Sequence, residues 1–475
     1  MPLVDLDASC ARHRALDGGA DGYARRVADD RTPQNPMRRS TLGRTARLAA
    51  LPAGYAGRTT LGIGKRLIGK PAGLVLTEVQ QRTADQLFQV LGELKGGAMK
   101  VGQAMSVFES ALPDELAGPY RETLSRLQDA APPMTLRMLE SVLTEEFGPG
   151  WRTRFATFDE RPVAAASIGQ VHRATWADGT DVAVKIQYPG AAKALRSDLR
   201  QLGRVARLFT ALAPGVDVKP LIAELEARVE EELDYDLEAR SQQVFAEEFA
   251  GDPDVVVPSV VAHTSRVLVT TWLESDYSLA QVIKDGTPEQ RDHFGNRYAR
   301  FLVSAPARTG LLHADPHPGN FRVLADGRMG VVDYGAVARL PHGLPRPMGE
   351  LLRRALVDDW EAVRVGLRRE GFLLPGIKFD AEALEDYLGP FLDAARVEEF
   401  SFSRTWLREQ AVRVATPTQS NISTALKINL PPEYALIHRV CVGGIGVLCQ
   451  LEATTPFRAL LEEYLPGFAE PDAVA

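Results

Sequence analysis

"HADPHPGNF", residues 313–321, gathers two histidines, an aspartate and an asparagine between prolines and a glycine. Such a stretch interrupts regular structure and places its polar side chains on a loop. Asp315 and Asn320 stand five residues apart, and "GVVDYGA", residues 330–336, adds Asp333 shortly afterwards. Asp333 and Asn320 are oxygen donors of the kind Mg²⁺ prefers. A triphosphate needs its charge neutralised and its groups aligned, whereas phosphoryl transfer itself needs little covalent help. The stretch therefore reads as the catalytic and metal-holding loop of an enzyme that handles ATP.

Protein kinases carry H-R-D-L-x-x-x-N followed by D-F-G. His313, Asp315 and Asn320 reproduce the first pattern, with Asp315 as catalytic base; "DYG" reproduces the second, with Tyr334 in place of phenylalanine. Upstream, "VAVK" sets Lys185 on a strand, where kinases place the lysine that contacts phosphates and pairs with a helix glutamate. "QVHRATW" and "DVAVKIQY" flank "ADGT", which predicts a β-hairpin. The acidic run from Pro220 to Phe249 reads as one long helix, and it offers Glu238 as the partner of Lys185, with Glu232 as the second choice. Thr270, in "RVLVT", falls near the gatekeeper position, with Trp272 and Leu273 beside the adenine.

The phosphate loop is unusual. Kinases use G-x-G-x-x-G-x-V, but "VAAASIGQVHRA", residues 163–174, places Ala164, Ala166, Gly169 and Val171 at those four positions. Glycine lets backbone N–H groups approach phosphates closely, so alanine there calls for a reason. Ala165 and Ser167 complete the expected nucleotide-binding loop.

At 475 residues the chain has room for a two-lobed enzyme with extensions. Residues 1–36 read as a disordered N-terminus, 37–150 as a helical extension, 151–273 as an N-lobe, 274–465 as a mostly helical C-lobe and 466–475 as a tail. The fold class is α+β. A formal charge of −7 gives no reason to expect nucleic acid. That average hides a segment from Arg31 to Leu76 without a single Asp or Glu, whose Arg and Lys residues suit an anionic membrane surface. Cys10, Cys441 and Cys449 form no C-x-x-C pair, and the last two read as small core residues. No signal peptide is evident, and the apolar run "VCVGGIGVLCQL" is shorter than the roughly 18 residues of a span, so a cytoplasmic or peripheral membrane location is expected.

The sequence resembles the UbiB/AarF family of atypical protein-kinase-like proteins. Four stretches carry the resemblance: "AAASIGQVH", "KIQYPG", the "KVGQ" of Lys100–Gln103, and the Glu-x-Asp of Glu232 and Asp234. It runs from about residue 37 to 345 and looks closer to the coenzyme Q-linked branch than to bacterial UbiB proper. The resemblance implies a two-lobed kinase-like fold whose helical extension lies over the active site. Lys100 and Gln103 would gate that site, facing Glu232 and Asp234 and leaving Glu238 to Lys185. It also implies an alanine loop that disfavours ordinary protein phosphorylation, ATP and Mg²⁺ as cofactors, and a conditional ATPase. That activity would serve isoprenoid-quinone or other lipid metabolism, with a lipid or quinone precursor as ligand. A small-molecule phosphotransferase and a nucleotide-switched scaffold are the rival readings.

Overall fold

The computed structural model describes residues 133–166, 168–193, 196, 230–231, 233–275, 277–373, 379–415 and 428–469, all within the unit Leu48–Ala475. Lys100, Gln103, the basic segment 31–76, Ser167 and Glu232 lie outside the described residues.

Helix α1, Leu136–Phe147, opens where the Thr135 side chain accepts from Met138 N and closes at Gly148, φ 86°. Its Leu139, Val142 and Leu143 recur at helical spacing and are buried. They pack on a five-stranded antiparallel sheet ordered β1 (Phe155–Ala166), β2 (Gly169–Trp176), β3 (Asp181–Gln187), β6 (Val267–Thr271), β5 (Val260–His263). The expected hairpin is β2–β3, and its turn is held by Thr180 N donating to the Asp178 carboxylate, with Gly179 at φ 94°. Alternation then sorts the sheet's two faces. Val182, Val184, Ile186, Val267 and Val269 face α1. Ala164, Val171, Lys185 and Leu268 form one cross-strand row on the other face.

The acidic run is not one helix. Asp234 is extended, φ −108° and ψ 93°, and its carboxylate accepts from Asp236 N and Leu237 N to start helix α2, Tyr235–Glu248. Tyr235 N is diverted to Ser265 O at 3.3 Å, so the backbone is tied to the sheet where the helix was expected to continue.

The C-lobe is built round α3, Pro288–Thr309, which begins with a capping box between Thr287 and Gln290 and stops at Gly310, φ 67°. A sheet of β4 (Val255–Val256), β10 (Met329–Val331), β9 (Phe321–Val323) and β7 (Tyr277–Ser278) and a pair β8 (Leu311–His313) with β11 (Val337–Arg339) carry the functional loops. Helices α4 (Arg346–Leu356), α5 (Trp360–Arg369) and α6 (Ala381–Leu388) form a satellite core of their own.

Helix α7, Pro432–Leu451, corrects the reading of the apolar run as too short for a span. Among the described residues it is a 20-residue helix apolar enough to cross a membrane by length and composition. Its Gly443 and Gly444 pack on Pro316 and Leu302, and Val447, Leu448 and Cys449 are buried in the C-lobe core. That is the packing of a core helix. Cys449 is buried and Cys441 half-buried along it.

Candidate active site

Strand β3 and helix α2 bring Lys185 and Glu238 together. Lys185 Nζ lies 2.7 Å from Glu238 Oε1 and 3.4 Å from Asp333 Oδ1, so one ammonium links the N-lobe sheet, α2 and the "DYG" loop. Burial opposes the lysine's charge, but the Asp333 and Glu238 carboxylates outweigh it and hold the pKa above the ordinary lysine value. Nζ also lies 5.1 Å from the centre of the Tyr235 ring, the residue next to Asp234. Of the two glutamates considered for Lys185, Glu238 occupies the position.

Asp333 has φ 66°, a left-handed conformation that few non-glycine residues adopt. Gly335 N donates to its Oδ1 at 3.3 Å. Val332 N donates to Asn320 O at 2.9 Å, and His313 pairs with Val337 across β8 and β11, so the two loops are stitched together. The His313 ring is fully buried between Phe301, Phe321 and Tyr334, and burial pulls its pKa below the ordinary histidine value. Tyr334 replaces phenylalanine without strain, because its hydroxyl donates to Val331 O at 3.4 Å. Its ring meets Phe245 of α2 at 4.8 Å.

Asp315 is 5% exposed at the base of the cleft. Asn320 Nδ2 donates to Asp315 O at 3.3 Å, which leaves the amide oxygen of Asn320 as its donor to a cation. Tyr298 of α3 donates from its hydroxyl to Pro316 O at 2.7 Å, and His317 Nδ1 accepts from Gly319 N at 3.1 Å. One neighbour of the catalytic loop had no signal in the sequence motifs. Arg439 of α7 reaches Asp315 Oδ1 at 3.8 Å, from more than a hundred residues downstream.

The alanine loop is strand almost to its tip. Ala164, Ala165 and Ala166 pair with Val171, Gln170 and Gly169. This register puts Ala164, Ala166 and Val171 on the Lys185 face and Ala165 on the other. Gly169 has a packing reason to be glycine: a Cβ there would lie 2.3 Å from Ile186 O and 3.0 Å from the Tyr235 hydroxyl. Gln170 and His172 are buried on the α1 face and form a relay. Met134 N donates to Gln170 Oε1 at 2.8 Å, Gln170 Nε2 meets His172 Nε2 at 2.7 Å, and His172 Nδ1 meets Asp159 O at 2.8 Å. Gln170 can only donate through Nε2, so Nε2 of His172 accepts and Nδ1 carries the proton.

Thr270 pairs with Ala183 and shares the face of Lys185. At the crossing to the C-lobe, Leu273 packs on Gly330, where a Cβ would lie 2.6 Å from Leu273 Cδ1. Trp272 is occupied at the surface, with Arg173 stacked 4.9 Å from its ring centre and its Nε1 donating to Glu274. Asp234 spends its carboxylate on the α2 cap.

Oxygen donors, a buried lysine and a kinase-ordered loop set are thus assembled between the lobes. The model of the ABC1 atypical kinase-like domain matches residues 126–365, about half of the chain. The chain belongs to the ABC1 atypical kinase-like family. The rat protein "Atypical kinase COQ8B, mitochondrial" is 32% identical over 453 residues, which covers 91% of this chain and 82% of the relative. "Atypical kinase coq-8, mitochondrial" of Caenorhabditis elegans is 30% identical, covering 91% and 58%. "Uncharacterized protein slr1919" of Synechocystis is 29% identical, covering 78% and 64%. The chain therefore spans about three fifths of the length of several ABC1 relatives. A solved structure, titled as the complex of Rv3197 with erythromycin from Mycobacterium tuberculosis, is 43% identical. It covers 84% of this chain and all of that one, with a TM-score of 0.65. Kinase-like architecture is thereby shared with a solved protein at substantial identity.

Proposed function

We propose that this chain binds Mg-ATP between its lobes and hydrolyses it conditionally, in support of isoprenoid-quinone or other lipid metabolism. The observation that carries the reading is Lys185, bridging Glu238 and Asp333 at 2.7 and 3.4 Å. In this reading Lys185 contacts the phosphates, and Ala164, Ala166, Val171 and Thr270 line the same face of the sheet. Asp333 and Asn320 are the residues that would hold Mg²⁺, and they supply the carboxylate and amide oxygens that suit it. The ion would neutralise triphosphate charge. Asp315 orients the attacking oxygen and takes its proton. Ala164–Ala166 are kept in a strand ladder with β2, and a freer glycine loop would wrap the phosphates more closely. Lys100 and Gln103, with Glu232 and Asp234, gate the cleft, and residues 31–76 bring the chain to an anionic membrane as a peripheral protein.

The test is phosphate release from the purified chain with Mg-ATP, with and without anionic vesicles and phenolic quinone-precursor mimics. Stimulated release is expected. Asp333→Asn should abolish the Mg-dependent rise in melting temperature that ATP causes. An undiminished rise would remove Asp333 from the metal role, and binding without release would leave a nucleotide-switched scaffold.

A second reading is favoured by the solved relative whose title pairs it with erythromycin. Under that reading the chain transfers phosphate to a small molecule. Mass analysis of erythromycin after incubation with Mg-ATP separates the two: a phosphorylated macrolide selects the transferase, and an unmodified one with free phosphate selects the ATPase.

A further inference from the structure

Strand β9 leaves the catalytic loop directly after Asn320, and alternation sends its side chains two ways. Phe321 and Val323 are buried in the C-lobe core with Met329 and Val331 of β10. Arg322 stands on the opposite face, paired with Gly330 of β10 on one side and Ser278 of β7 on the other. That face meets the crossing between the lobes. A Cβ added at Gly330 would lie 2.6 Å from Leu273 Cδ1 and 3.3 Å from Arg322 Cβ, so all three residues share one spot.

The guanidinium of Arg322 is fixed to the same crossing. Its Nε donates to Ser275 Oγ at 2.9 Å and its Nη2 to Ser275 O at 3.3 Å, so one residue holds two corners of the plane. Both acceptors are neutral. Among the described residues no carboxylate pairs with Arg322, and burial draws its pKa below the ordinary arginine value with no opposing charge. A half-buried cation without a counter-ion is costly where only packing is served. Two of its five N–H groups are spent on Ser275, and those bonds occupy an edge of the guanidinium. Stacking uses its face.

A flat, uncharged aromatic ring answers these features. It takes a guanidinium face without needing a carboxylate on the protein. The protein's own aromatic at the crossing does not fill that role, because Trp272 stacks on Arg173 and bonds Glu274 at the surface. We propose that Arg322 is the residue of the cleft that receives the nucleotide's purine, its guanidinium lying against the ring from the C-lobe side. The inference rests on the nucleotide reading given above and adds which side chain the base meets. Lys185, Asp333 and Asn320 would then serve the phosphate end, and Arg322 the base.

Isothermal titration of the full chain with Mg-ATP and with Mg-tripolyphosphate separates the two ends, since tripolyphosphate keeps the charge and lacks base and ribose. Arg322→Met is expected to weaken Mg-ATP about threefold to tenfold and to leave tripolyphosphate unchanged. Circular dichroism verifies the fold of the variant. Should it not fold, Arg322→Gln, which keeps a donor for Ser275 O, is read in the same way. Equal weakening of both ligands would assign Arg322 to the phosphates and overturn the base assignment. Undiminished Mg-ATP affinity in a folded variant overturns the inference alone, leaving Arg322 as a tie between β9 and the crossing. Absence of Mg-ATP binding to the unmodified chain overturns the nucleotide reading, and this inference with it.

Discussion

Lys185 is a charge that only its neighbours make tolerable. Glu238 is 3% exposed, and removing the ammonium would leave its carboxylate buried without that counter-ion. Breaking a buried pair from one side typically costs about 3–5 kcal/mol. Lys185→Met is therefore expected to lose about that much stability in urea denaturation, apart from any loss of nucleotide binding. A loss below about 1 kcal/mol would show that the pair is not structural. Lys185, Asp315, Asn320 and Asp333 could be singled out in the sequence because the kinase motifs set those residue types in that order. Arg439 was not legible. An arginine on an apolar helix carries no spacing signal, and only the packing of α7 on the catalytic loop brings it within 3.8 Å of Asp315.

Strand β2 works on both its faces. One side presents Val171 to the cleft, and the other sends Gln170 and His172 into the relay that joins Asp159 of β1 to Met134 ahead of α1. Burial lowers the His172 pKa, only partly countered by its hydrogen bond to Asp159 O. The unfolded chain therefore takes up a proton on this histidine before the folded one does. Stability is present above the ordinary histidine value and is lost as pH falls below about 6.5. For one group the slope cannot exceed about 1.4 kcal/mol per pH unit. His172→Gln is expected to flatten the fall in melting temperature between pH 7.5 and 5.5, values chosen about one unit either side of that midpoint. An unchanged slope would mean that other groups govern the acid side. At this scale the hairpin and α1 were readable from alternation and helical spacing. Two elements were not. The acidic run gave no sign that Tyr235 N would bond to Ser265 O and break the helix at Asp234. The apolar run of α7 looked short because His438 and Arg439 stand just before it; in the fold two of the helix's three glycines, Gly443 and Gly444, are the points of contact with Pro316 and Leu302.

For the whole molecule, the two lobes and their order followed from the motifs, since a hairpin ending in lysine must precede an acidic helix and a loop of metal ligands. The satellite core of α4 to α6 did not, because nothing in its amphipathic helices says which neighbour each apolar face will meet. The basic segment 31–76 sets an expectation at this scale. Each basic residue near an anionic surface contributes about 1 kcal/mol, so the full chain should sediment with anionic vesicles more strongly than a chain beginning at Thr77. Equal sedimentation of the two would assign membrane binding elsewhere. Helix α7 has a further consequence, for the order in which the protein is made. Its Gly443 seats Pro316 and its Arg439 faces Asp315, yet both leave the ribosome more than a hundred residues after the loop they support. At roughly 5–20 residues per second, that interval lasts several seconds or more. Through it, the nascent chain carries Asp315 and Asn320 on a loop without its backing. The catalytic-loop motif thus gains its backing only once α7 has been made, and a transcript cut short after residue 365 would yield the matched domain without that backing.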